Sequence, residues 1–352
     1  MPNIIYQTST AGLSTDEIAA IGKLRTPLRL VIEHESDLMA KKGGIRDQLF
    51  NVEKSSGFAD TIVAQNEFPV FGAVAEGAAA PEVSISETYK KVVENIQFMQ
   101  EFNITAKMME DSHYGVGADA KRRAENFTRA YYRTMHEACA FALANGTATA
   151  GTFAGTSLDL STGDGKALFA TDHAWGKGTT AGTQSNYFES ADAFGSEASF
   201  EDALSELALK IRNMKDENGK PLGYTADTII LPGNCGTAER LAKKVCGTNQ
   251  PMGGTNAAYI NTQYGNWNVV VIPTWAIADP TKPEVLVMSS EANKALAGNV
   301  FYNRVPLTIR DFVDVHTFNY TWAGRCRFGV GFGNYKHIVK LTADELVPAT
   351  AL

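Results

Sequence analysis

Two histidines stand next to carboxylates, and each pair suggests acid/base or metal chemistry. His136 and Glu137 open the zinc-protease pattern HExxH, in which two histidines one helical turn apart bind the metal. The second histidine is missing, because position 140 is Ala140. Asp172 and His173 could form part of a catalytic acid/base site. The chain, however, has no GxSxG nucleophile elbow, and no third catalytic residue stands at a recognisable spacing. The residues therefore favour ordinary polar pairs over a catalytic centre.

Two glycine-rich runs resemble parts of nucleotide-binding loops. Residues 163–166 (GDGK) match the end of a phosphate loop, yet Leu160 stands where its first glycine should be and Ala167 replaces its serine or threonine. Residues 329–333 (GVGFG) follow no strand-helix-strand start, and a single GxG match is weak evidence for a nucleotide site. The first run predicts a turn, and the second predicts flexible backbone in a packed strand.

The cysteines do not form a metal or disulfide pattern. They are scattered, without a CxxC pair or a histidine at finger spacing, at positions Cys139, Cys235, Cys246 and Cys326. We expect free thiols in a reducing cytoplasm, with no bound metal and no cofactor. The first twenty residues lack a basic segment followed by an apolar one, and no run of about 18 apolar residues occurs, so we expect neither secretion nor a membrane span.

Length and charge set the outer limits. With 352 residues, 44% of them hydrophobic, the chain can bury a substantial core and divide into two or more lobes. It has 32 Lys and Arg against 39 Asp and Glu, a net charge of -7, which disfavours a broad grip on phosphate backbones. One basic cluster could meet nucleic acid or an acidic partner, although a solvated helix face is the simpler interpretation: Lys121, Arg122, Arg123, Arg129 and Arg133.

The longest strand pattern predicts a projecting hairpin. Apolar residues stand at alternate positions from 96 to 108, interrupted only at Gln100, and a similar alternation at Val83, Ile85 and Tyr89 follows a breaker segment at 76–81. An extended hairpin is only marginally stable in water unless another part of the chain or another chain covers its edges and its apolar face. A neighbouring subunit is the simplest cover. A hairpin folded back on its own domain is the alternative.

The remaining periodicities predict a long helix and an α/β lobe. Residues 118–145 form the clearest helix, with one apolar stripe and an Asn-Gly stop, and shorter helices are expected after residue 14 and over 28–39. Residues 146–186 are predicted to form a long loop. Helices at 199–215 and 237–245 alternate with strands at 227–232 and 268–273, which implies a compact α/β lobe. We expect the final strands to pack beneath the long helix: 285–288, 305–309, 313–318 and 325–330.

The order of these pieces resembles the major capsid proteins of tailed bacteriophages, and the Mu-like head-subunit branch in particular. The resemblance extends from about residue 49 to residue 340 and rests on these segments: 76–81 (EGAAAP), 103–111 (NITAKMMED), 168–173 (LFATDH) with 184–186 (QSN), and 221–222 (PL) with 228–232 (TIILP). It implies an α+β chain with the Hong Kong 97-type fold. Five regions are expected: an N-terminal arm (1–57), an extended loop (58–95), a peripheral domain (96–198) with its spine helix (118–145), an axial domain (199–305) and returning C-terminal strands (306–352).

The resemblance implies a structural function and no enzymatic one. We expect a homo-oligomer of pentamers and hexamers that forms an icosahedral head shell around double-stranded DNA, assembled in the bacterial cytoplasm and located in the virion. The partners expected are scaffold, portal and decoration proteins, with DNA nearby but not bound by sequence, and no membrane. Inter-subunit contacts are expected at these residues: Phe68, Phe71, Glu76, Tyr89, Lys90, Lys91, Arg122 and Arg123.

Three questions remain open at the level of sequence. Some members of this fold join subunits by a Lys-Asn isopeptide bond, and Lys90 and Lys91 lie near the hairpin, but no pattern assigns an acceptor Asn or a catalytic Glu. An encapsulin-like nanocompartment would share the fold and enclose a cargo enzyme instead of a genome. A soluble enzyme that uses Asp172 and His173 is the other alternative.

Overall fold

The computed structural model describes residues 4–8, 15–65, 73–74, 76, 79, 82, 87–105, 107, 116–176, 182–247, 261–314, 316–317 and 319–343. Its helices are α1 (Thr15–Lys42), α2 (Ile45–Leu49), α3 (Val116–Ala144), α4 (Glu197–Arg212), α5 (Gly236–Gly247) and α6 (Ser290–Ala295). Its strands are β1 (Ile5–Thr8), β2 (Asn51–Lys54), β3 (Ala59–Gln65), β4 (Glu87–Glu94), β5 (Ile96–Ile104), β6 (Ala150–Phe153), β7 (Thr156–Asp159), β8 (His173–Ala174), β9 (Thr183–Gln184), β10 (Tyr187–Ser190), β11 (Thr228–Pro232), β12 (Asn268–Ile272), β13 (Glu284–Met288), β14 (Asn299–Val313), β15 (Tyr320–Phe332) and β16 (Ile338–Ala343).

The first sheet is built on two long antiparallel strands. Its order is β1-β14-β15-β5, and β2 pairs in parallel with the start of β14. The register of β14 against β15 shifts twice around Pro306, where a strand loses a backbone donor and bulges form. The stretches predicted at 305–309 and 325–330 are therefore parts of two continuous strands.

The helix α3, called the spine helix below, lies across this sheet. Its 29 residues correspond to about 44 Å of helix, close to the predicted span. The predicted apolar stripe faces the core, with Phe127 at 7% exposure and Met135 and Ala138 at 1%. Gly324 of β15 makes room for Phe127, because a Cβ at this glycine would collide with the ring. Of the late strands predicted to pack beneath the spine helix, β14 and β15 do so, whereas the stretch at 285–288 forms β13, which pairs with β11 and β16 in a second sheet.

The second sheet forms the α/β lobe that the alternation of helices and strands predicted. Its order is β10-β16-β13-β11-β12, and β11 is buried along its whole length. The helices α4 and α5 contact each other and pack on its strands through buried residues such as Leu204, Leu207 and Leu241. The chain thus has the α+β organisation that the sequence predicted.

Four details differ from the sequence-based expectations. The alternation at 96–108, predicted to belong to the projecting hairpin, forms β5, which pairs with β15 inside the first sheet, and the hairpin consists of β3 and β4. The helix predicted to start at Ser199 begins at Glu197, because the hydroxyl of Ser196 caps it by accepting the backbone N–H of Ser199 at 3.1 Å. The strand predicted at 313–318 is wrong, since Asp314 accepts the backbone N–H of His316 and turns the chain. The last strand, β16, expected among the strands that return to the peripheral domain, pairs with β10 and β13 in the second sheet.

Candidate assembly surfaces

The hairpin of β3 and β4 has one face that lies against its own chain. Ile62 stands opposite Lys91 and Asp60 opposite Val93, so these side chains share the inner face. Val93 is 3% exposed and Ile62 is 9% exposed, and both pack with Val300 and Tyr302 of the first sheet. At the base, the backbone N–H of Asn95 donates to Phe58 O at 3.0 Å. The hairpin therefore has a fixed root.

Alternating glycines of β15 form the surface under this root. A Cβ at Gly331 would lie 2.7 Å from Val93 Cγ2, and one at Gly329 would lie 2.8 Å from the carbonyl oxygen of Glu94. Gly333 directly follows β15, and a Cβ there would collide with Ala297 O and lie 3.1 Å from Ile62 Cγ2. The absence of side chains on this face lets the hairpin approach the backbone closely. This corresponds to the packed glycine strand that the sequence predicted.

Tyr89 ties β4 to the long loop after the spine helix. Its hydroxyl lies 3.2 Å from Ala174 O and 3.1 Å from Gly176 O, and it donates to one of these carbonyls. Burial raises the pKa of Tyr89, and the nearby carboxylates of Asp164 and Glu217 raise it further. The neutral hydroxyl therefore serves as a hydrogen-bond donor. The long loop, which had no assigned role in the sequence, carries this attachment.

Lys91 makes the second attachment of the inner face. Its Nζ donates to Ser161 Oγ at 2.7 Å and pairs with Asp159 Oδ2 at 2.6 Å, and its side chain is only 6% exposed. Burial opposes ionisation of Asp159, but the hydrogen bonds from Lys91 and Ser161 outweigh it and hold the pKa below its ordinary value. The Lys91 amine is thus engaged within its own chain.

The outer face of the hairpin is open to solvent. Val63 is 38% exposed and Val92 is 44% exposed, and Lys90, opposite Val63, is exposed as well. Phe58, just before β3, is 69% exposed. Within the described part of the chain, these apolar side chains have no burying neighbour. Exposed apolar side chains on a strand form a surface that another chain can cover.

The residues predicted to contact another subunit belong to three parts of the chain: the segment between β3 and β4, the strand β4 and the spine helix. Phe68 and Phe71 lie outside the described residues, and Glu76 is exposed. Tyr89 and Lys91 lie on the inner face, while Lys90 lies on the outer face. Arg122 is exposed on the spine helix, and Arg123 donates to Asn103 O at 2.7 Å and to Asp119 Oδ2 at 2.9 Å. Contact of these residues with another subunit stays a prediction.

Ion pairs within the chain occupy much of the basic start of the spine helix. Arg129 Nε donates to Glu35 Oε1 of α1 at 2.6 Å, and Lys121 lies 3.9 Å from Glu125 one turn along the same helix. Arg129 therefore attaches α1 to the spine helix, while Lys121 pairs within the spine helix itself. The simpler interpretation, a solvated helix face with local pairs, describes most of this cluster.

Asp172 and His173 do not form a dyad. His173 is 0% exposed, its Nδ1 donates to Asp164 Oδ2 at 2.7 Å, and its ring stacks on Tyr335 at 3.7 Å. Asp172 is exposed and pairs with Lys166. Burial opposes ionisation of Asp164, but hydrogen bonds from His173 and Thr162 outweigh it and lower its pKa. The histidine holds the loop together and has no access to a substrate.

The other chemical patterns also have structural roles. His136 accepts the backbone N–H of Arg46 through Nδ1 at 3.3 Å, and residues 162–166 form a turn closed by Thr162 N donating to Lys166 O at 2.8 Å. The four cysteines are free and buried, and burial raises the pKa of each thiol, to about 12 for Cys326 and about 11 for Cys246. Within the described ranges, no three His, Cys, Asp or Glu side chains converge as a metal site would require. No described helix combines the length and apolarity needed to cross a membrane.

Comparison with known proteins gives a family match over most of the chain. A family model described as phage capsid protein matches residues 97–341. The fold is similar to a capsid structure of the cyanophage P-SCSP1u, with a TM-score of 0.51 and 14% identity over 86% of this chain and 89% of that chain. It is also similar to the capsid of a native GTA particle, with a TM-score of 0.51 and 15% identity over 86% of this chain and 90% of that one. None of the curated proteins gives a significant match.

The family match decides between the interpretations of the sequence. It does not favour the encapsulin-like compartment or the soluble enzyme, and the narrower resemblance to the Mu-like branch stays a prediction. The two long strands under the spine helix, the rooted hairpin and the separate α/β lobe make up the Hong Kong 97-type fold. With residues 97–341 matched by the family model, the chain belongs to the phage capsid protein family and is a structural major capsid protein of a virion, not an enzyme.

Proposed function

We propose that the chain assembles into pentamers and hexamers that close an icosahedral head shell around the double-stranded DNA of a tailed phage or prophage. The observation that carries this proposal is the hairpin with two different faces. Its inner face is attached to its own chain by Tyr89 and Lys91, while its outer face exposes Val63 and Val92. Such an element is suited to reach a neighbour while its root stays rigid.

Head-to-tail contacts explain how one chain builds a closed shell. When a surface of one subunit meets a different surface of the next, the contacts generate rings if the rotation closes. Many modest contacts made together give high collective stability, because each new contact forms at high effective concentration. No single contact has to be strong, so a misplaced subunit can leave before the shell closes.

We assign the regions by analogy with the fold. Residues 1–57 form the N-terminal arm, 58–95 the extended loop, 96–198 the peripheral domain, and 199–305 the core of the axial domain. The region 306–352 is divided, since β14 and β15 support the spine helix while β16 lies in the sheet of the α/β lobe. The strand β10 also belongs to that sheet.

We also propose which molecules the shell meets and where it assembles. The net charge of -7 suits a wall that encloses DNA without binding it by sequence. Scaffold, portal and decoration proteins are its proposed partners, and we place its assembly in the cytoplasm of the bacterial host.

A truncated hairpin tests the proposal. Residues 66–86 are replaced by Asn-Gly, which joins Gln65 to Glu87 by a tight turn and keeps Ile62, Tyr89 and Lys91 in place. A deletion of residues 60–90 would be harder to interpret, because it also removes these packed residues. We expect the variant to stay soluble, with the circular dichroism spectrum of the intact chain, and to form no closed particles in negative-stain electron microscopy. Normal particles from this variant would contradict the proposal.

A further inference from the structure

A cleft lies between the C-terminal part of the spine helix and the α/β lobe. Its volume is about 630 Å³, within the range of about 300–1,000 Å³ typical of ligand sites. One wall consists of the spine helix with Phe153 of β6, and the other consists of the stretch 274–278 after β12 with Glu284 and Lys340. Small molecules often bind where two parts of a chain meet in this way. The cleft is therefore a candidate binding site.

The charges of this cleft leave one carboxylate without a partner. Lys340 Nζ pairs with Glu284 Oε2 at 2.8 Å, so these two lining residues neutralise each other. Glu137, the half-buried neighbour of His136 in the sequence, also lines the cleft. Within the described part of the chain, Glu137 makes no ion pair and no side-chain hydrogen bond. The cleft thus carries an uncompensated negative charge, which favours a cationic occupant.

The end of the spine helix adds a second place of negative potential. The helix stops at Ala144, and both Ala144 and Asn145 line the cleft. The carbonyl groups at a helix C-terminus carry a partial negative charge, and the last turn of this helix contains no basic residue to balance it. Ala144 follows Glu137 by seven residues, which corresponds to about 10 Å along the helix axis. The wall therefore offers two places for positive charge, separated by about 10 Å.

Aromatic side chains lie between these two places. Phe141, one turn after Glu137, lines the cleft together with Phe153, and their ring centroids are 5.6 Å apart. Both rings are partly exposed, and Trp275 and Ile277 line the opposite wall. Methylene groups bury well against such a surface, and ring faces attract cations. A hydrated metal ion would gain nothing from this wall, because it is held by oxygen ligands.

We propose that this cleft binds an aliphatic polyamine. One ammonium group lies at Glu137, a second lies at the end of the spine helix, and the methylene chain between them packs on Phe141 and Phe153. An extended triamine such as spermidine is long enough to reach both places. The bound molecule contacts the spine helix on one side and the stretch 274–278 on the other, so it ties the helix to the α/β lobe. This inference does not rest on shell assembly, because the whole lining belongs to one chain.

Calorimetric titration of the purified chain with three amines tests the inference. The probes are spermidine, putrescine and the longer homologue of putrescine, diaminooctane. The two diamines carry the same charge and differ in length. We expect one saturable site that binds diaminooctane at least about tenfold more tightly than putrescine, since the longer chain reaches both places and buries more methylene groups.

General attraction of cations to a chain with a net charge of -7 would give a different result. It would bind the two diamines equally, and an equal concentration of Mg²⁺ would displace them. Either of these results, or the absence of saturable binding, would overturn the inference.

Two glutamine variants locate the site. Glu137→Gln removes the charge and keeps the shape of the side chain, so it should weaken the binding of diaminooctane at least about tenfold. Glu101→Gln removes the same charge at an exposed position of β5 outside the cleft and should leave the affinity unchanged. Equal weakening by both variants, or no effect of Glu137→Gln, would show that the amine does not bind in this cleft.

A lysine variant tests the same cleft if Glu137→Gln folds poorly. Thr147→Lys places a cation at the exposed rim and should weaken the binding of diaminooctane. Thr61→Lys adds the same charge at an exposed position of the hairpin and is its control. Equal affinity of these two variants would contradict the inference.

The same titration of assembled particles distinguishes a free amine from a side chain of another copy. We expect particles to bind diaminooctane as free subunits do. If only free subunits bound it, a neighbouring chain would fill the cleft in the shell, and the inference would be overturned. If the intact chain forms no particles, the proposed shell fails, while titration of the free chain still decides whether the cleft binds a polyamine.

Discussion

At the scale of single residues, buried polar contacts hold the long loop that supports the hairpin. Asp164 accepts hydrogen bonds from His173 and Thr162, and His173 stacks on Tyr335. The hydroxyl of Tyr335 donates to Ala174 O at 3.0 Å, the same carbonyl that Tyr89 reaches. Polar groups buried in this way are costly to leave unpaired, so the network fixes the loop where β4 attaches.

We predict that Asp164→Asn lowers the free energy of unfolding of the free subunit by about 1–3 kcal/mol at pH 7, because a charged acceptor in a buried network is lost. The native pKa of Asp164 lies below the ordinary value of 3.8. Its contribution is therefore complete above that pH and is lost as the pH falls through the native pKa. Urea unfolding at pH 7, 4 and 3 should show the difference from the intact chain shrinking toward acid.

The matched control for this prediction is Asp172→Asn. Asp172 is exposed and pairs only at the surface with Lys166, so its replacement should leave unfolding unchanged. If Asp172→Asn destabilised the chain and Asp164→Asn did not, the assignment of the structural pair would be wrong.

The sequence predicted part of this residue-scale arrangement. It indicated that 163–166 form a turn, and it favoured an ordinary polar pair over catalysis for Asp172 and His173, while an enzyme that uses them stayed an alternative. It could not identify Asp164 as the partner of His173, because the two residues are nine positions apart and meet only when the loop closes on Tyr335.

At the scale of elements, the hairpin depends on the bare face of β15. Gly329 and Gly331 lie two positions apart in β15, so both face one side of the sheet, and Gly333 directly follows the strand. This spacing was visible in the sequence and indicated a packed strand. The identity of the packed element was not visible, because β4 and β15 are more than two hundred residues apart.

We predict that Gly331→Ala destabilises the free subunit by about 1–3 kcal/mol, since the added Cβ would lie 2.7 Å from Val93 Cγ2 and would displace the hairpin root. Particle yield should fall with it. Val93→Ala in the same chain should recover part of the loss, which a double-mutant cycle of urea unfolding measures.

Gly236→Ala is the control for this prediction. A Cβ at Gly236 meets no atom within 4 Å, so this change should not destabilise the chain. A Gly331→Ala variant as stable as the Gly236→Ala variant would show that the hairpin does not rest on the glycine face.

Elements whose apolar pattern lies within one continuous segment were predicted well. The spine helix has a clear apolar stripe, and the predicted span 118–145 differs from the observed Val116–Ala144 by two residues or fewer at each end. The start of α4 was missed because Ser196 and Ser199 are both good caps, and only the backbone geometry selects Ser196.

At the scale of the whole molecule, strands from distant parts of the chain complete each lobe. The α/β lobe takes β10 and β16 from either side of its central elements, and the first sheet takes β1 and β2 from the arm. Local patterns cannot specify such pairing, so the sequence predicted the lobes but not which strands close them. The resemblance to capsid proteins supplied the overall fold that the periodicities left open.

Shell formation is tested most directly by negative-stain electron microscopy of the purified intact chain over a range of concentrations, with analytical ultracentrifugation of the same samples. We predict closed particles, or rings of five and six subunits, that increase with concentration. A single compact monomer under every condition, with an activity that is lost on His173→Ala, would contradict a shell-forming protein.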